Sequence, residues 1–256
     1  MLPYRRSVVR LALVASLILS WCLTSAGTTS AAVSFSAPVS YQTGTRPNAI
    51  AVGDFNGDAK LDLAVVNRDS GTVSILLGDG IGAFNATTPI DFGLNTANTD
   101  PRDVAVGDFN GDGKQDLAVV LSATGQVSIQ LGNGLGEFTS PFAPINVGST
   151  VPIAVAVGDF NGDTKPDLAV VLSTAGQVSI QLGVGDGSFT AATPVSVGFT
   201  GPIAVVVGDF DGDGKQDLAV VLGTSGQVSI QLGVGDGSFT AGPTIDFGPN
   251  TANTGR

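Results

Sequence analysis

The tetrapeptide Val-Gly-Asp-Phe occurs four times, with its Asp at Asp54, Asp108, Asp159 and Asp209, so the chain repeats itself at intervals of 54, 51 and 50 residues. A period of that length restricts the fold to a propeller, a solenoid or an array of small units. One such unit cannot bury both of its faces alone, so neighbours must stack. The local period decides what the unit is made of. Val127-Ser128-Ile129-Gln130-Leu131 alternates apolar and polar residues, as do 178–182 and 228–232, which is the pattern of a half-buried strand. Asp116-Leu117-Ala118-Val119-Val120-Leu121 is a near-continuous apolar run of strand length, as expected for an inner strand. With 36 Gly and 13 Pro in the chain, no window keeps helical apolar spacing without a break.

Each repeat therefore reads as four short strands, in the first repeat roughly 49–54, 62–67, 72–77 and 84–92. A four-stranded meander of about 50 residues matches a propeller blade. The expected fold is all-β, a β-propeller-like array of four-stranded antiparallel blades at about 45–93, 100–148, 151–198 and 201–248. A β-solenoid or a string of small sheets is the competing reading, but solenoid coils are usually much shorter. Residues 33–44 resemble the outer strands 84–93 and 239–248, which puts an orphan outer strand before the first blade. The segment 246–254 echoes 91–99, after which a new blade begins at Pro101. Two readings follow: a stretch of a longer array, or four blades that close through the displaced outer strand.

Residues 1–26 read separately. Arg5, Arg6 and Arg10 precede a 13-residue apolar run and then Thr24-Ser25-Ala26. A basic region, a short apolar region and a small-residue cleavage zone make a signal peptide. The run is too short for a bilayer, which needs about 20 residues. Cleavage near Ala26 or Ala32 exports residues 33–256, leaves no stable membrane span and discards Cys22, the one Cys. His is absent as well. The two absences exclude Ser–His–Asp and Cys–His catalysis, His/Cys zinc sites and a disulfide framework. The formal charge is −11, from 22 acidic residues against 11 basic ones, the wrong sign for a nucleic-acid binder. The acids are 21 Asp and a single Glu, Glu137, so the short carboxylates of loops dominate.

Thirteen of the 22 acids stand in one motif, Asp-x-Asn/Asp-x-Asp-x-x-x-Asp. Its copies are Asp54, Asn56, Asp58 and Asp62; Asp108, Asn110, Asp112 and Asp116; Asp159, Asn161, Asp163 and Asp167; and Asp209, Asp211, Asp213 and Asp217. Oxygen ligands at positions 1, 3 and 5, a backbone carbonyl at 7 and a further carboxylate are what Ca²⁺ takes. The carbonyls are those of Lys60, Lys114, Lys165 and Lys215, and the closing carboxylate is at position 9. An EF-hand needs Glu at position 12, where Val65, Val119, Val170 and Val220 stand. Asp, Asn and Gly are also ordinary turn formers. Bare carboxylates about 4 Å apart, however, repel by roughly 4 kcal/mol per pair at an effective dielectric of 20. Four such loops therefore predict about four bound Ca²⁺, with Mg²⁺ the lesser candidate because it prefers to keep its waters. Gly113 and Gly214 fill position 6, whereas Ala59 and Thr164 stand there in the first and third loops. If that residue takes φ > 0, the fourth site is expected to be tightest and the third weakest.

The Val-Gly-Asp-Phe-Asn-Gly-Asp-Gly-Lys-x-Asp-Leu-Ala-Val-Val segment, followed by Gly-x-Val-Ser-Ile-x-Leu-Gly and Gly-x-Phe, resembles the FG-GAP or VCBS-type repeat of bacterial surface proteins. It is similar to the calcium-bearing blades of the integrin α-subunit propeller. The resemblance covers about residues 33–256 and implies a propeller with Ca²⁺ in the first hairpin loop of each blade. It also implies that partners, an extracellular protein or a glycan, bind the opposite face. Here that face is formed by 67–71, 122–125, 173–176 and 223–226 with 94–103, 149–152 and 199–202, where Arg68, Arg102 and Phe199 stand out. Such propellers often have seven blades, and four are visible, so self-association to complete a ring is a further expectation. The Gly-x-Gly-x-Gly segments at 132–136 and 183–187 precede strands and read as tight turns, not nucleotide loops. Phe55, Phe109, Phe160 and Phe210, with Phe84, Phe138, Phe189 and Phe239, read as packing between blades. The functional expectation is an exported, non-catalytic, calcium-stabilised binding or adhesion module at the cell surface. The alternatives are a glycan hydrolase using a carboxylate pair and a structural fragment of a larger surface protein.

Overall fold

The computed structural model describes residues 37–92, 99–148, 151–198 and 201–246. The expected signal segment and cleavage zone and the echo segment after Asp246 lie outside them, as do 94–98, 149–150 and 199–200 of the expected partner face. Among the described residues there is no helix, and none therefore that is long and apolar enough to cross a membrane.

The first blade contains β1 (Pro47–Gly53), β2 (Asp62–Asn67), β3 (Thr72–Gly78), β4 (Phe84–Ala86) and β5 (Ile90–Asp91). The second contains β6 (Pro101–Gly107), β7 (Asp116–Leu121), β8 (Gln126–Gly132), β9 (Phe138–Thr139) and β10 (Ile145–Asn146). The third contains β11 (Pro152–Gly158), β12 (Asp167–Leu172), β13 (Gln177–Gly183), β14 (Phe189–Ala191) and β15 (Val195–Ser196), and the fourth β16 (Pro202–Gly208), β17 (Asp217–Leu222), β18 (Gln227–Gly233) and β19 (Phe239–Asp246). Every pairing is antiparallel and the first three strands of each blade pair in chain order, as in a meander: Ile50 faces Val65 and Val65 faces Ser74. The outer strand departs from the single span expected at 84–92. In the first blade β4 and β5 both pair with β3 but are separate pieces. Pro89 lies in the gap, as Pro144 and Pro194 do in the next two blades, and proline has no N–H to give to a ladder. In the fourth blade the strand runs on through Pro243 by means of a register shift.

Three apolar cores lie between successive blades, since each sheet is sandwiched by its neighbours. Ala64, Val66, Val73 and Ile75 of the first blade meet Val104, Leu117, Val119 and Leu121 of the second, and the same positions meet at the next two interfaces. All six residues of β7 and of β12 are buried. This coverage corrects the half-buried reading of the alternating strands. Ser128 and Gln130 are buried as fully as the Val and Ile beside them, because another blade covers that face too. Gln130 Nε2 donates to Ser128 Oγ at 2.8 Å, and Gln181–Ser179 and Gln231–Ser229 repeat the bond. Edge-to-face ring pairs cross each interface: Phe55–Phe138, Phe109–Phe189 and Phe160–Phe239, with centroids 5.5–5.7 Å apart.

Candidate metal centre

Each acidic motif is the turn between the first two strands of a blade, where the pairing of Gly53 with Asp62 and its equivalents closes the ladder. Position 1 folds the loop around itself. Asp54 Oδ1 accepts the amides of Gly57 and Asp58 at 2.8 and 3.2 Å, and Oδ2 accepts that of Ala59 at 2.8 Å. Asp108 and Asp159 do the same, and Asp209 accepts the amides of Gly212 and Gly214. The position-3 oxygen, from Asn56, Asn110, Asn161 or Asp211, accepts the amide of position 5 at 3.0–3.1 Å. Position 6 takes φ > 0 in all four loops: Ala59 at 62°, Gly113 at 79°, Thr164 at 67° and Gly214 at 84°. The conformation glycine prefers is thus imposed on an alanine and a β-branched residue.

Position 9 has a different job. Asp62, Asp116, Asp167 and Asp217 are fully buried. One oxygen of each accepts the amide of the Phe at position 2 of its own motif (Phe55, Phe109, Phe160 or Phe210) at 2.8–2.9 Å. The other accepts the amide of Gly78, Gly132, Gly183 or Gly233 on the third strand at 2.7–2.8 Å. The carboxylate thus ties three strands at one end of the blade, a role that motif spacing alone did not reveal. Burial pushes Asp116 and Asp167 above the usual carboxylate range, against the pull of the two donated amides; the neighbouring loop carboxylates add to the rise.

Position 5 is turned toward a cation the chain already carries. The ammonium groups of Lys60, Lys114, Lys165 and Lys215 lie 3.1, 3.3, 3.5 and 2.8 Å from Asp58, Asp112, Asp163 and Asp213. The position-5 carboxyls are all held low: the Lys60 ammonium is the main cause at Asp58 and the Lys215 ammonium at Asp213, whereas the backbone amide of the lysine leads the lowering at Asp163 and, against burial, at Asp112. The sequence argument from bare repulsion missed this internal counterion, although Lys at position 7 of every copy was its signal.

Only the fourth loop, among the described residues, brings three carboxylates together. One oxygen each from Asp209, Asp211 and Asp217 lies within 4.8 Å of the others. Ligands 2.3–2.6 Å from a shared Ca²⁺ stand at most about 5 Å apart, so the three fit around one ion. Their amide bonds use only part of the roughly four lone-pair sites of each carboxylate. The first three loops have Asn at position 3 and so offer a neutral oxygen at that place.

The loops are also wired to the neighbouring blades. The carbonyls of Phe55, Phe109 and Phe160 accept the amides of Gly136, Gly187 and Gly237 in the next blade at 2.8–2.9 Å. Gln115 and Gln216 reach back to accept the amides of Asp54 and Asp159, both at 2.7 Å. The position of Gln115 is taken by Pro166 in the third blade and Leu61 in the first, and neither side chain can make the bond. Within the Gly-x-Gly-x-Gly segments, Gly134, Gly136, Gly185 and Gly187 have φ > 0, in agreement with tight turns.

On the opposite face, Asp100 is gripped by two guanidiniums. Arg68 binds it through Nε and Nη2, and Arg102 approaches it at 2.8 Å. Arg46 pairs with Asp69 nearby at 3.4 Å.

The family model for the FG-GAP-like repeat matches residues 54–119, 108–170, 159–220 and 209–255. The chain belongs to the FG-GAP-like repeat family. No curated protein matches it. Among solved structures, this FG-GAP-like chain is similar to a candidate 6-phosphogluconolactonase from Bacteroides uniformis, with 16% identity and a TM-score of 0.62 over 82% of this chain and 59% of that one. It is also similar to a Lactobacillus plantarum protein, at 14% identity and a TM-score of 0.56 over 80% and 57%. A third match is BBS1N, solved in complex with ARL6DN, at 15% identity and a TM-score of 0.54 over 80% and 59%. The FG-GAP-like chain thus spans about six-tenths of the length of these structures. At such identities they share the propeller-like fold, and no activity passes from them to this chain.

Proposed function

We propose that this protein is an exported calcium-binding repeat protein that acts as a non-catalytic binding or adhesion module at the cell surface. The carrying observation is the convergence of Asp209, Asp211 and Asp217 in a loop whose design is repeated three more times. In this reading positions 1, 3, 5 and 9 and the carbonyl of 7 hold Ca²⁺. The position-5 carboxylate exchanges its lysine for the ion. The charge arithmetic favours a divalent cation, since each loop carries three or four Asp against one Lys. A non-catalytic role is supported by the commitments of the carboxylates: position 9 to buried amides, position 5 to lysine, and Glu137 to Asn133 at 2.8 Å. The partner side is then the opposite face, where the arginines gather.

Calorimetric titration of Ca²⁺ into ion-stripped protein tests the metal. The expected result is about four binding events, one of which is lost in Asp209→Asn/Asp211→Asn. An absence of heat at millimolar Ca²⁺ sinks the reading. Glycan and matrix-protein arrays with and without Ca²⁺ then test the module, and secretion of the tagged chain tests export.

A further inference from the structure

The first and fourth blades each leave open a part of the contact that is buried at the three interfaces between them; on the first blade the open part lies on β1, since Val65, Ser74 and Leu76 of β2 and β3 are already buried. On the first blade Ile50 is 59% exposed, whereas Val104, Val155 and Val205 at the same position are 6–8% exposed. On the fourth blade Phe210 is 48% exposed, whereas Phe55, Phe109 and Phe160 are at 1–2%. Val221 is 37% exposed and its counterparts Val66, Val120 and Val171 are at 0%. Val52 and Leu61 extend the first surface, and Val206 extends the second. Along the chain the inner strands touch in series, β1 to β6, β6 to β11 and β11 to β16. The outward sides of β1 and β16 are left to solvent.

The two surfaces are complementary in detail. Where the first blade meets the second, Gly53 is glycine because a Cβ there would strike Gln115 and Phe55. The fourth-blade equivalents are Gly208 and Phe210, and the residue that would stand in the place of Gln115 is Leu61 of a first blade. An exposed leucine thereby matches an exposed phenylalanine, so a first blade seated on a fourth blade forms an apolar contact where the first and third internal interfaces form a polar one.

We propose that these surfaces form a head-to-tail interface between two copies of the chain, the first blade of one packed on the fourth blade of the next. Such an interface is heterologous: each copy uses a different patch. One competitor is already in place. Phe84 holds the ring position that Phe138, Phe189 and Phe239 fill at the internal interfaces, and its edge-to-face partner is Tyr41, with centroids 5.3 Å apart. Tyr41 also donates its hydroxyl hydrogen to the Gly82 carbonyl at 3.0 Å. Tyr41 thus occupies the place of the incoming Phe210 and sets a threshold on association.

Sedimentation velocity on the purified chain over a concentration series tests this. The expected result is a mass that rises with concentration to twice the protomer's 25.5 kDa or beyond. Val206→Asp and Ile50→Asp each block one surface. Both positions are solvent-exposed in the protomer, and an unchanged circular dichroism melt confirms that the variants fold. Each variant alone is expected to stay monomeric, and an equimolar mixture to form a 1:1 complex that does not grow, since one good face of each kind remains. Tyr41→Ala is expected to lower the association constant's concentration threshold several-fold. A wild-type chain that stays monomeric, or mixed variants that form no complex, overturns the interface. An Ile50→Asp variant that still self-associates overturns its head-to-tail character. A threshold that Tyr41→Ala leaves unchanged or raises overturns the role of Tyr41.

Discussion

Thr164→Gly isolates the backbone cost of the third loop. Thr164 sits at φ 67°, in the place where the second and fourth loops have Gly113 and Gly214. A Cβ built on either glycine meets nothing within 4 Å, so the side chain at this position costs through the backbone and not through a clash. The hydrogen bond survives the exchange: the Thr164 amide reaches Asp159 Oδ2 at 2.8 Å, and the Gly113 amide reaches Asp108 Oδ2 at 2.8 Å. A left-handed conformation costs an L-residue about 1–2 kcal/mol. Glycine gives back about 0.5–1 kcal/mol through the greater freedom of its unfolded chain. The difference predicts stabilisation by about 0.5–1 kcal/mol, or a rise in Tm of about 1–4 °C for a domain of this size. Gly113→Thr should lose about the same amount, and Ala59→Gly should gain less because alanine is not β-branched. Thermal melts in chelator read these shifts without any contribution from bound ion. A Thr164→Gly protein no more stable than the wild type, beside an unaffected Gly113→Thr, would show that the loop does not hold its sixth residue at positive φ.

Two further substitutions separate the roles of the acids. Asp116→Ala strands two amides that its buried carboxylate now accepts; at about 1–3 kcal/mol for each unsatisfied group, chelator-treated protein should lose about 2–6 kcal/mol in denaturant melts. Asp112→Ala removes an exposed pair with Lys114 and should lose less than about 1 kcal/mol, so equal losses would contradict the division of labour. Asp103 is held above the usual carboxylate range by burial, against the amides donated by Val155 and Val104. A raised folded value means that stability from this group is present below the unfolded value and is lost as pH climbs through the folded one. Asp103→Ala, which matches Ala49, Ala154 and Ala204 at the same strand position, should therefore gain on the wild type in Tm as pH rises from about 3 to about 7. A gap that narrows over that range would reverse the sign.

The repeat period and the two-residue alternation made the fold legible, because a blade is a local structure whose strands follow one another in sequence. What was not legible is contact between blades. Ser128 and Gln130 look like a solvent face until a neighbouring sheet is laid on them. Gln115 looks like any polar turn residue until Asp54, 61 positions earlier, offers it an amide. In the acidic loops, spacing identified the oxygens but not their orientation. Asp58 and Asp62 look equivalent in the motif, yet one lies at the surface with Lys60 and the other is enclosed by two backbone amides. The distinction depends on which side of the hairpin each faces, and that is set by the strand register that starts at Asp62.

That register gives the loops a consequence beyond the turn itself. Asp62 holds the Phe55 amide, while the Phe55 carbonyl holds the Gly136 amide of the next blade at 2.8 Å. Asp54, at the other end of the same loop, has its amide held by Gln115 of that next blade. An ion drawn in by positions 1, 3 and 9 would therefore fix both ends of a loop whose second residue, Phe55, is inserted in the interface against Phe138. The loss of one ion should then loosen a boundary between blades and not merely one turn. The boundary between the second and third blades is the most exposed to such loosening, because Pro166 stands where Gln115 and Gln216 clamp the others. Proteolysis in chelator is accordingly expected to begin on either side of that boundary, and a first cut at the first or third boundary would show that the Gln clamp does not govern how the blades hold together.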